Sequence, residues 1–181
     1  EAAAAVLEGL VMLGENDAIE PGVAETWDVS EDGLTYTFHL RDADWSNGVA
    51  ITADDFVYAF QRLADPASAA QYNFMVETAS IKNGAAVVAG DLPATDLGIT
   101  AIDASTVQIE LDIAVPYFMK LMTFPSFYPI NQEFAEAQGD AFGTTIDTVL
   151  YNGAFTLSAW EIGYEFAYAK NDMYWDAANT T

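Results

Sequence analysis

The sequence predicts an α+β fold, in which helices and antiparallel strands are mixed along one chain. Apolar and polar residues alternate with a period of two in residues 34–41 and again in 107–112, as in strands with one buried face and one wet face. Residues 52–65 instead carry the capping and spacing of an amphipathic helix. A length of 181 residues suffices for one ordinary domain, or for one domain and part of another.

The first hairpin is predicted in residues 27–41. Every second position of its second strand is apolar: Leu34, Tyr36, Phe38 and Leu40. Trp27 and Val29 begin the partner strand, and residues 30–33 form the short, polar, glycine-ended connection that a hairpin needs. A further turn is expected at residues 45–48.

The helix that follows is located by its capping residues. Thr52 can accept from free backbone N–H groups of the first turn, where Asp54 and Asp55 also suit the helix dipole. Its apolar face is formed by Phe56, Val57, Phe60 and Leu63. The helix ends at Asp65, because a residue before proline is pushed out of helical geometry. Residues 24–60 are thus expected to join hairpin, turn and helix into one scaffold unit.

The rest of the chain continues as mixed helix and strand, without repeats or low-complexity linkers. The predicted elements are a short helix or turn in 67–76, a helix in 81–89, a hairpin with strands near 99–101 and 107–111, a helix beginning at Pro116, an aromatic loop at 124–129, a helix from a cap at Asn131 through Gln138, strands at 154–160 and 165–170 around a turn at 162–163, and a closing turn at 172–175.

Several motifs in this order resemble the bacterial extracellular solute-binding proteins, family 5, which serve peptide ABC transporters, and within them the oligopeptide-binding branch. The motifs are Leu40-Arg41, Trp45-Ser46-Asn47-Gly48, Thr52-Ala53-Asp54-Asp55-Phe56, Gln61-Arg62, Asp65-Pro66, Ala94-Thr95-Asp96-Leu97-Gly98, Val115-Pro116-Tyr117-Phe118, Asn152-Gly153-Ala154 and Tyr174-Trp175. They cover nearly the whole chain.

The resemblance implies a fold like the type II periplasmic binding proteins. It assigns residues 8–131 to the smaller, second domain, and 1–7 with 132–181 to parts of the first lobe. Family members are much longer and close two lobes on a peptide, so we expect this chain to be a fragment that cannot enclose a peptide alone.

The function implied by the resemblance is capture of oligopeptides in the periplasm or outside the cell and delivery to the membrane permease of an ABC transporter. The full-length protein is expected to be a monomer without cofactor, free or lipid-anchored. The same scaffold carries dipeptides, nickel complexes, haem or oligosaccharides in relatives, and these cargoes stay open. The alternative to a ligand-binding function is that the chain is an acidic structural or adhesive module.

Two ligand contacts are carried over from the resemblance. Tyr72 follows Asp65-Pro66 at the family's spacing and matches a tyrosine that lines the peptide cleft. Phe124 falls where some relatives carry a histidine near the ligand. Both belong to a group of aromatic residues on loops or short helices, most of which we expect in the core: Tyr72, Phe74, Tyr117, Phe124, Phe127 and Tyr128.

Charge and residue types narrow the function further. Five Lys and Arg against 28 Asp and Glu give a formal net charge of −23, which excludes nucleic acid as a natural partner. The acidity serves either solubility or adaptation to a salty medium. One histidine and no cysteine leave no set for a His/Cys zinc site or a Cys-His nucleophile, and His39 is expected at the surface. Folding could still bring together two carboxylates for glycoside hydrolysis, because such a pair need not be adjacent in the sequence.

Overall fold

The computed structural model describes residues 2–161 and 165–180. The chain forms two compact units, each built from separate stretches of sequence. The first unit comprises Glu1–Glu8, Asp42–Ile51 and Ile130–Thr181, and the second comprises Gly9–Arg41 and Thr52–Pro129.

The second unit is built on a four-stranded antiparallel sheet. Its strands are β3 (Ala24–Val29), β4 (Thr35–Leu40), β5 (Ile99–Asp103) and β6 (Thr106–Glu110), in the spatial order β3-β4-β6-β5. Both predicted hairpins are therefore present. They are joined by pairing of β4 with β6, in which Phe38 lies opposite Val107 and Tyr36 opposite Ile109. This pairing aligns the buried residues of both hairpins on one face of the sheet.

Helix α2 (Ala53–Ala64) contacts β5 and β6 and supplies two of the large side chains of this core. Phe56 and Phe60 are fully buried, and Leu63 is nearly so, as their spacing predicts. At the start of the helix the Asp55 carboxylate accepts a hydrogen bond from the Thr52 backbone N–H at 3.0 Å. The helix ends before Asp65, which itself caps the turn that follows by accepting from the Ala67 N–H.

Two short strands of the second unit have no counterpart in the sequence predictions. They are β1 (Val11–Leu13) and β2 (Ile19–Pro21), which pair antiparallel. Three residues are too few to show an alternating pattern, so only the structure reveals this hairpin.

The shorter helices of the second unit begin later than predicted. They are α3 (Phe74–Thr78), α4 (Gly84–Val88) and α5 (Phe118–Leu121). The prediction of a helix over 81–89 is wrong at its start, because Ile81 forms a β-bridge with Leu111 and cannot also begin a helix. Pro116 lies in the turn before α5 rather than in its first helical position.

In the described residues, the first unit contains two α-helices and a hairpin. They are α1 (Ala2–Val6), α6 (Gln132–Gln138), β7 (Phe155–Glu161) and β8 (Glu165–Lys170). The predicted cap of α6 is confirmed, since the Asn131 side chain accepts from the Phe134 N–H at 2.9 Å and the helix ends at Gly139. The predicted turn at 162–163 lies outside the described residues.

Residues 42–51 belong to the first unit, although the hairpin and the helix on either side belong to the second. The expectation of a single scaffold unit over 24–60 is therefore wrong. Trp45 is almost fully buried, and the Ser46 N–H donates to the Tyr151 carbonyl at 2.8 Å within the first unit. The predicted boundaries at 7/8 and 131/132 refer to the lobes of a longer protein and stay a prediction.

Candidate functional site

Tyr72 lies in the irregular stretch between α2 and α3 of the second unit. Its carbonyl accepts a hydrogen bond from the Met75 N–H at 3.0 Å, which fixes the start of α3. Met75 and Val76 are buried and hold this helix against the core, while Tyr72 itself is 54% exposed. The backbone of Tyr72 is therefore anchored, and its side chain is accessible.

A second aromatic ring lies beside Tyr72. The ring centroids of Tyr72 and Phe74 are 6.0 Å apart with an angle of 44° between the planes, a favourable tilted arrangement. Phe74 is also 54% exposed. Together the two rings form an aromatic pair with one phenol hydroxyl. The rings suit contact with an apolar group of a ligand, and the hydroxyl suits a hydrogen bond to a polar group beside it.

Phe124 lies directly before the 3-10 turn Pro125–Phe127. Its carbonyl accepts from the Phe127 N–H at 3.0 Å, and its own N–H donates to the Leu121 carbonyl. Phe127 is buried and packs on Phe60 of α2 with ring centroids 5.0 Å apart. The loop is thus fixed from beneath, while the Phe124 side chain is half exposed.

The same helix supports both predicted contact residues. Helix α2 contacts α3 and the 3-10 turns Pro66–Ser68 and Pro125–Phe127. The ring that accompanies Tyr72 is that of Phe74, not that of Phe124. The structure therefore provides two anchored aromatic positions on one scaffold, and it does not join them into one cluster.

The expectation that most of the six loop aromatics belong to the core is wrong. Only Phe127 and Tyr128 are buried. The exposed side chains are Tyr72 at 54%, Phe74 at 54%, Tyr117 at 46% and Phe124 at 49%. Beside two of them the next residue is buried instead, since Phe118 follows Tyr117 and Met75 follows Phe74.

Some charged side chains of the second unit form pairs at its surface. His39 Nε2 lies 2.8 Å from Asp28 Oδ2 across β4 and β3, and its side chain is 45% exposed, as expected of a surface residue. Lys82 Nζ donates to Glu110 Oε2 at 2.6 Å, and this hydrogen bond raises the pKa of Lys82. Within residues 2–161 and 165–180, no three His, Cys, Asp or Glu side chains are grouped as metal ligands.

A buried carboxylate forms the main polar cluster of the first unit. Glu8 is only 3% exposed. Its Oε2 accepts from the Tyr174 hydroxyl at 2.6 Å and its Oε1 from Trp175 Nε1 at 2.8 Å. The Asn152 side chain accepts from the Glu8 N–H at 2.9 Å and donates to the Glu8 carbonyl at 2.8 Å. We name Glu8, Asn152, Tyr174 and Trp175 the Glu8 cluster.

The Glu8 cluster was not found from the sequence, although three of its members lie in motifs that the resemblance singled out. Asn152 belongs to the Asn-Gly-Ala motif, and Tyr174 and Trp175 form the Tyr-Trp motif. The sequence signal for this cluster is therefore the motifs themselves, because members of both motifs contact Glu8. Tyr174 and Trp175 donate to Glu8 from 166 and 167 positions along the chain, so the cluster links distant segments of the first unit.

No helix in the described part of the chain is long and apolar enough to cross a membrane.

Comparison with curated proteins gives relatives along almost the whole chain. The periplasmic oligopeptide-binding protein OppA of Salmonella typhimurium is 40% identical over 176 residues, which is 97% of this chain and 32% of that protein. A probable deoxycholate-binding periplasmic protein, YgiS of Escherichia coli, is 35% identical over 97% of this chain and 33% of its own length. The chain thus spans about a third of the length of the curated relatives that it matches.

Solved structures agree with this likeness. The substrate-binding domain of an oligopeptide ABC transporter from Bacillus anthracis superposes with a TM-score of 0.94 at 46% identity. The superposition covers 98% of this chain and 34% of that one. The predicted fold class, α+β and like the type II periplasmic binding proteins, is confirmed by this match.

The family model described as bacterial extracellular solute-binding proteins, family 5, middle, matches residues 18–181. This match covers most of the chain, and it agrees with the relatives and the fold. The chain belongs to the bacterial extracellular solute-binding proteins of family 5.

Proposed function

We propose that the protein containing this chain is the substrate-binding component of an ABC transporter, which captures oligopeptides and delivers them to the membrane permease. The observation that carries this proposal is the 40% identity to the oligopeptide-binding protein of Salmonella typhimurium over almost the whole chain. The protein acts as a monomer in the periplasm or outside the cell, and binds its ligand without catalysis or cofactor.

The second unit provides the smaller domain of this binding protein. Residues 8–131 correspond to that domain and residues 1–7 and 132–181 to parts of the first lobe. The division into two compact units supports this assignment for most of the chain, whereas Glu8, residues 42–51 and residues 130–131 are grouped with the parts of the first lobe. Closure of the lobes would then bury the peptide and give the permease a shape to recognise.

Tyr72 contacts the bound peptide in this proposal, and Phe124 is the second candidate. The half-exposed Tyr72 ring, held on an anchored backbone beside Phe74, supports the assignment. An ordered aromatic side chain offers a large contact area at small cost in conformational entropy. Peptides of varied sequence would be held mainly through their main chain, with side chains received in hydrated pockets.

A different cargo on the same scaffold is the second candidate function. The probable deoxycholate-binding relative, 35% identical over almost the whole chain, favours it specifically. Dipeptides, nickel complexes, haem and oligosaccharides are further cargoes that such a scaffold would carry. Exposed aromatic rings would suit a steroid as well as a peptide side chain.

Mass spectrometry of ligands that co-purify with the full-length protein separates these cargoes. A ladder of short peptides is expected. A steroid, a sugar or a metal chelate as the dominant ligand would overturn the peptide assignment.

Calorimetric titration of the full-length protein with short peptides tests Tyr72. Tyr72→Ala is expected to weaken binding by about tenfold, or ~1.4 kcal/mol. Tyr117→Ala removes an aromatic ring of similar exposure and serves as the matched control, with affinity unchanged. Equal losses of peptide affinity in both variants would contradict the assignment of Tyr72 as a ligand contact.

A further inference from the structure

Three asparagines of this chain, Asn47, Asn83 and Asn152, are each followed directly by glycine. Glycine lacks a side chain, so its backbone nitrogen can approach the carboxamide carbon of the preceding asparagine more easily than that of any other residue. Asparagine is among the chemically labile residues for this reason. The three asparagines differ in exposure and in the hydrogen bonds that hold them.

Asn47 lies at the tip of an exposed turn in the first unit. The turn is closed by a β-bridge between Asp44 and Ala50 and by a hydrogen bond from the Gly48 N–H to the Trp45 carbonyl at 2.8 Å. The Asn47 side-chain oxygen accepts from the Val49 N–H at 3.1 Å. Asn47 and Gly48 are both exposed. Opening the tip at these two exposed residues requires few broken hydrogen bonds.

Asn152 is held on every side within the Glu8 cluster. It is 2% exposed, and its carboxamide both accepts from and donates to the backbone of Glu8. The Gly153 N–H donates to the Val6 carbonyl at 3.0 Å. A Cβ at Gly153 would lie 2.6 Å from the Val6 carbonyl carbon, so the surroundings leave no room for a new ring.

Asn83 is held at the start of α4 in the second unit. Its side-chain nitrogen donates to the Asp96 carbonyl at 2.7 Å, and its backbone N–H donates to Asp112 Oδ2 at 3.2 Å. The following Gly84 is buried and donates to the Ile81 carbonyl. Reaction here requires α4 to open, which costs more than opening an exposed turn.

We propose that Asn47 is the site at which the folded protein deamidates spontaneously. The Gly48 nitrogen loses its proton to solvent base and forms a bond to the Asn47 carboxamide carbon, and the carboxamide nitrogen leaves as ammonia. Water then opens the resulting succinimide at either carbonyl. The products are aspartate, or isoaspartate with an additional methylene in the backbone, and either product adds one negative charge.

The two products affect the turn differently. An aspartate at position 47 keeps an acceptor for the Val49 N–H, which now has an asparagine oxygen at 3.1 Å. Isoaspartate lengthens the backbone between Trp45 and Val49 and disturbs the bridge that closes the turn. Deamidation at this position therefore converts one protein into two forms that differ in local structure.

Peptide mapping of the aged protein tests this proposal. The protein is incubated folded in mildly alkaline buffer, digested with chymotrypsin, and searched by mass spectrometry for a gain of one mass unit at each asparagine. Asn47 is expected to react at least about tenfold faster than Asn83 and Asn152, since only its turn opens locally. A parallel incubation in urea removes the fold, and all three positions should then react at similar rates.

Asn47→Gln provides the matched variant, because glutamine forms the cyclic imide far more slowly. The fast gain of mass should disappear in this variant, while Asn83 and Asn152 keep their slow rates. The proposal fails if folded protein reacts equally at all three positions, if Asn83 or Asn152 reacts first, or if Asn47 is stable in the folded protein while it reacts in urea.

Discussion

Glu8 illustrates how a buried charge is tolerated at the scale of a single residue. A carboxylate removed from water loses several kcal/mol of solvation unless donors replace the water. In the Glu8 cluster, the Tyr174 hydroxyl and the Trp175 indole N–H replace it at 2.6 and 2.8 Å. Hydrogen bonds to a charged acceptor are about twice as strong as neutral ones. The cluster is consequently a strong link between distant segments of the first unit.

Removal of the Glu8 carboxylate should destabilise the first unit substantially. Glu8→Ala removes the acceptor of the part-buried Tyr174 and Trp175 donors, and we expect a loss of about 3 kcal/mol in the free energy of unfolding. Urea unfolding followed by far-ultraviolet circular dichroism measures the loss.

Glu31→Ala is the control for this change. Glu31 is exposed in the turn between β3 and β4, so its removal should shift stability by no more than about 0.5 kcal/mol. If both variants unfold at the same urea concentration as the natural sequence, the carboxylate of Glu8 does not stabilise the fold.

The sequence indicates the surroundings of some residues better than those of others. The types of Tyr72 and Phe124 are evident, but which aromatic side chains stay exposed depends on neighbours such as Met75 and Phe127 that occupy the core. Glu8 gives no local signal, because its side-chain partners lie 166 and 167 positions away. Local patterns cannot show contacts that only the closed fold creates.

Sequence patterns are most informative at the scale of single helices and strands, as helix α2 illustrates. Its apolar spacing, its acidic first turn and the proline after its end were all sufficient to place it. The hairpins of β3 with β4 and β5 with β6 were equally evident from alternation. Pairing of β4 with β6 joins residues about 70 positions apart, and the three-residue strands β1 and β2 carry no pattern. These features arise from packing rather than from local preference.

The start of α2 gives a prediction at this scale. Asp55 is buried and accepts from the Thr52 N–H, whereas its neighbour Asp54 is exposed. Asp55→Ala should therefore lower the free energy of unfolding by about 1 to 2 kcal/mol, as expected for the loss of a cap. The urea midpoint measures this loss.

Asp54→Ala is the matched control, since it removes the same charge from the same turn. It should cost only about 0.3 to 0.5 kcal/mol through the helix dipole. A cost for Asp54→Ala equal to that for Asp55→Ala would mean that charge, and not the cap, stabilises this helix start.

The net charge of −23 acts at the scale of the whole molecule. Carboxylates outnumber cations by 28 to 5, so repulsion among them opposes the compact state. Salt weakens this repulsion, because the screening length falls from about 10 Å at 0.1 M to about 3 Å at 1 M. The hypothesis of adaptation to a salty medium thus differs measurably from that of solubility alone.

Thermal unfolding should distinguish the two hypotheses. Under salt adaptation, Tm rises steadily between low salt and about 1 M sodium chloride, where screening is nearly complete. A flat or falling Tm would leave solubility as the explanation. A variant with Glu31→Gln, Asp91→Asn and Asp140→Asn, all exposed positions, should gain less from salt.

The first unit is assembled from three separate stretches of the chain, and this has a consequence for synthesis on the ribosome. All stretches of the second unit that lie in this chain have been made once Pro129 is added. At that moment Glu8 still lacks Asn152 and Trp175, which follow 144 and 167 positions later, and closing such long loops is slow. Trp45 and Glu8 therefore lack native contacts of the first unit until its last stretch has been made, and a chaperone that acts on the nascent chain would encounter the first unit before it can fold.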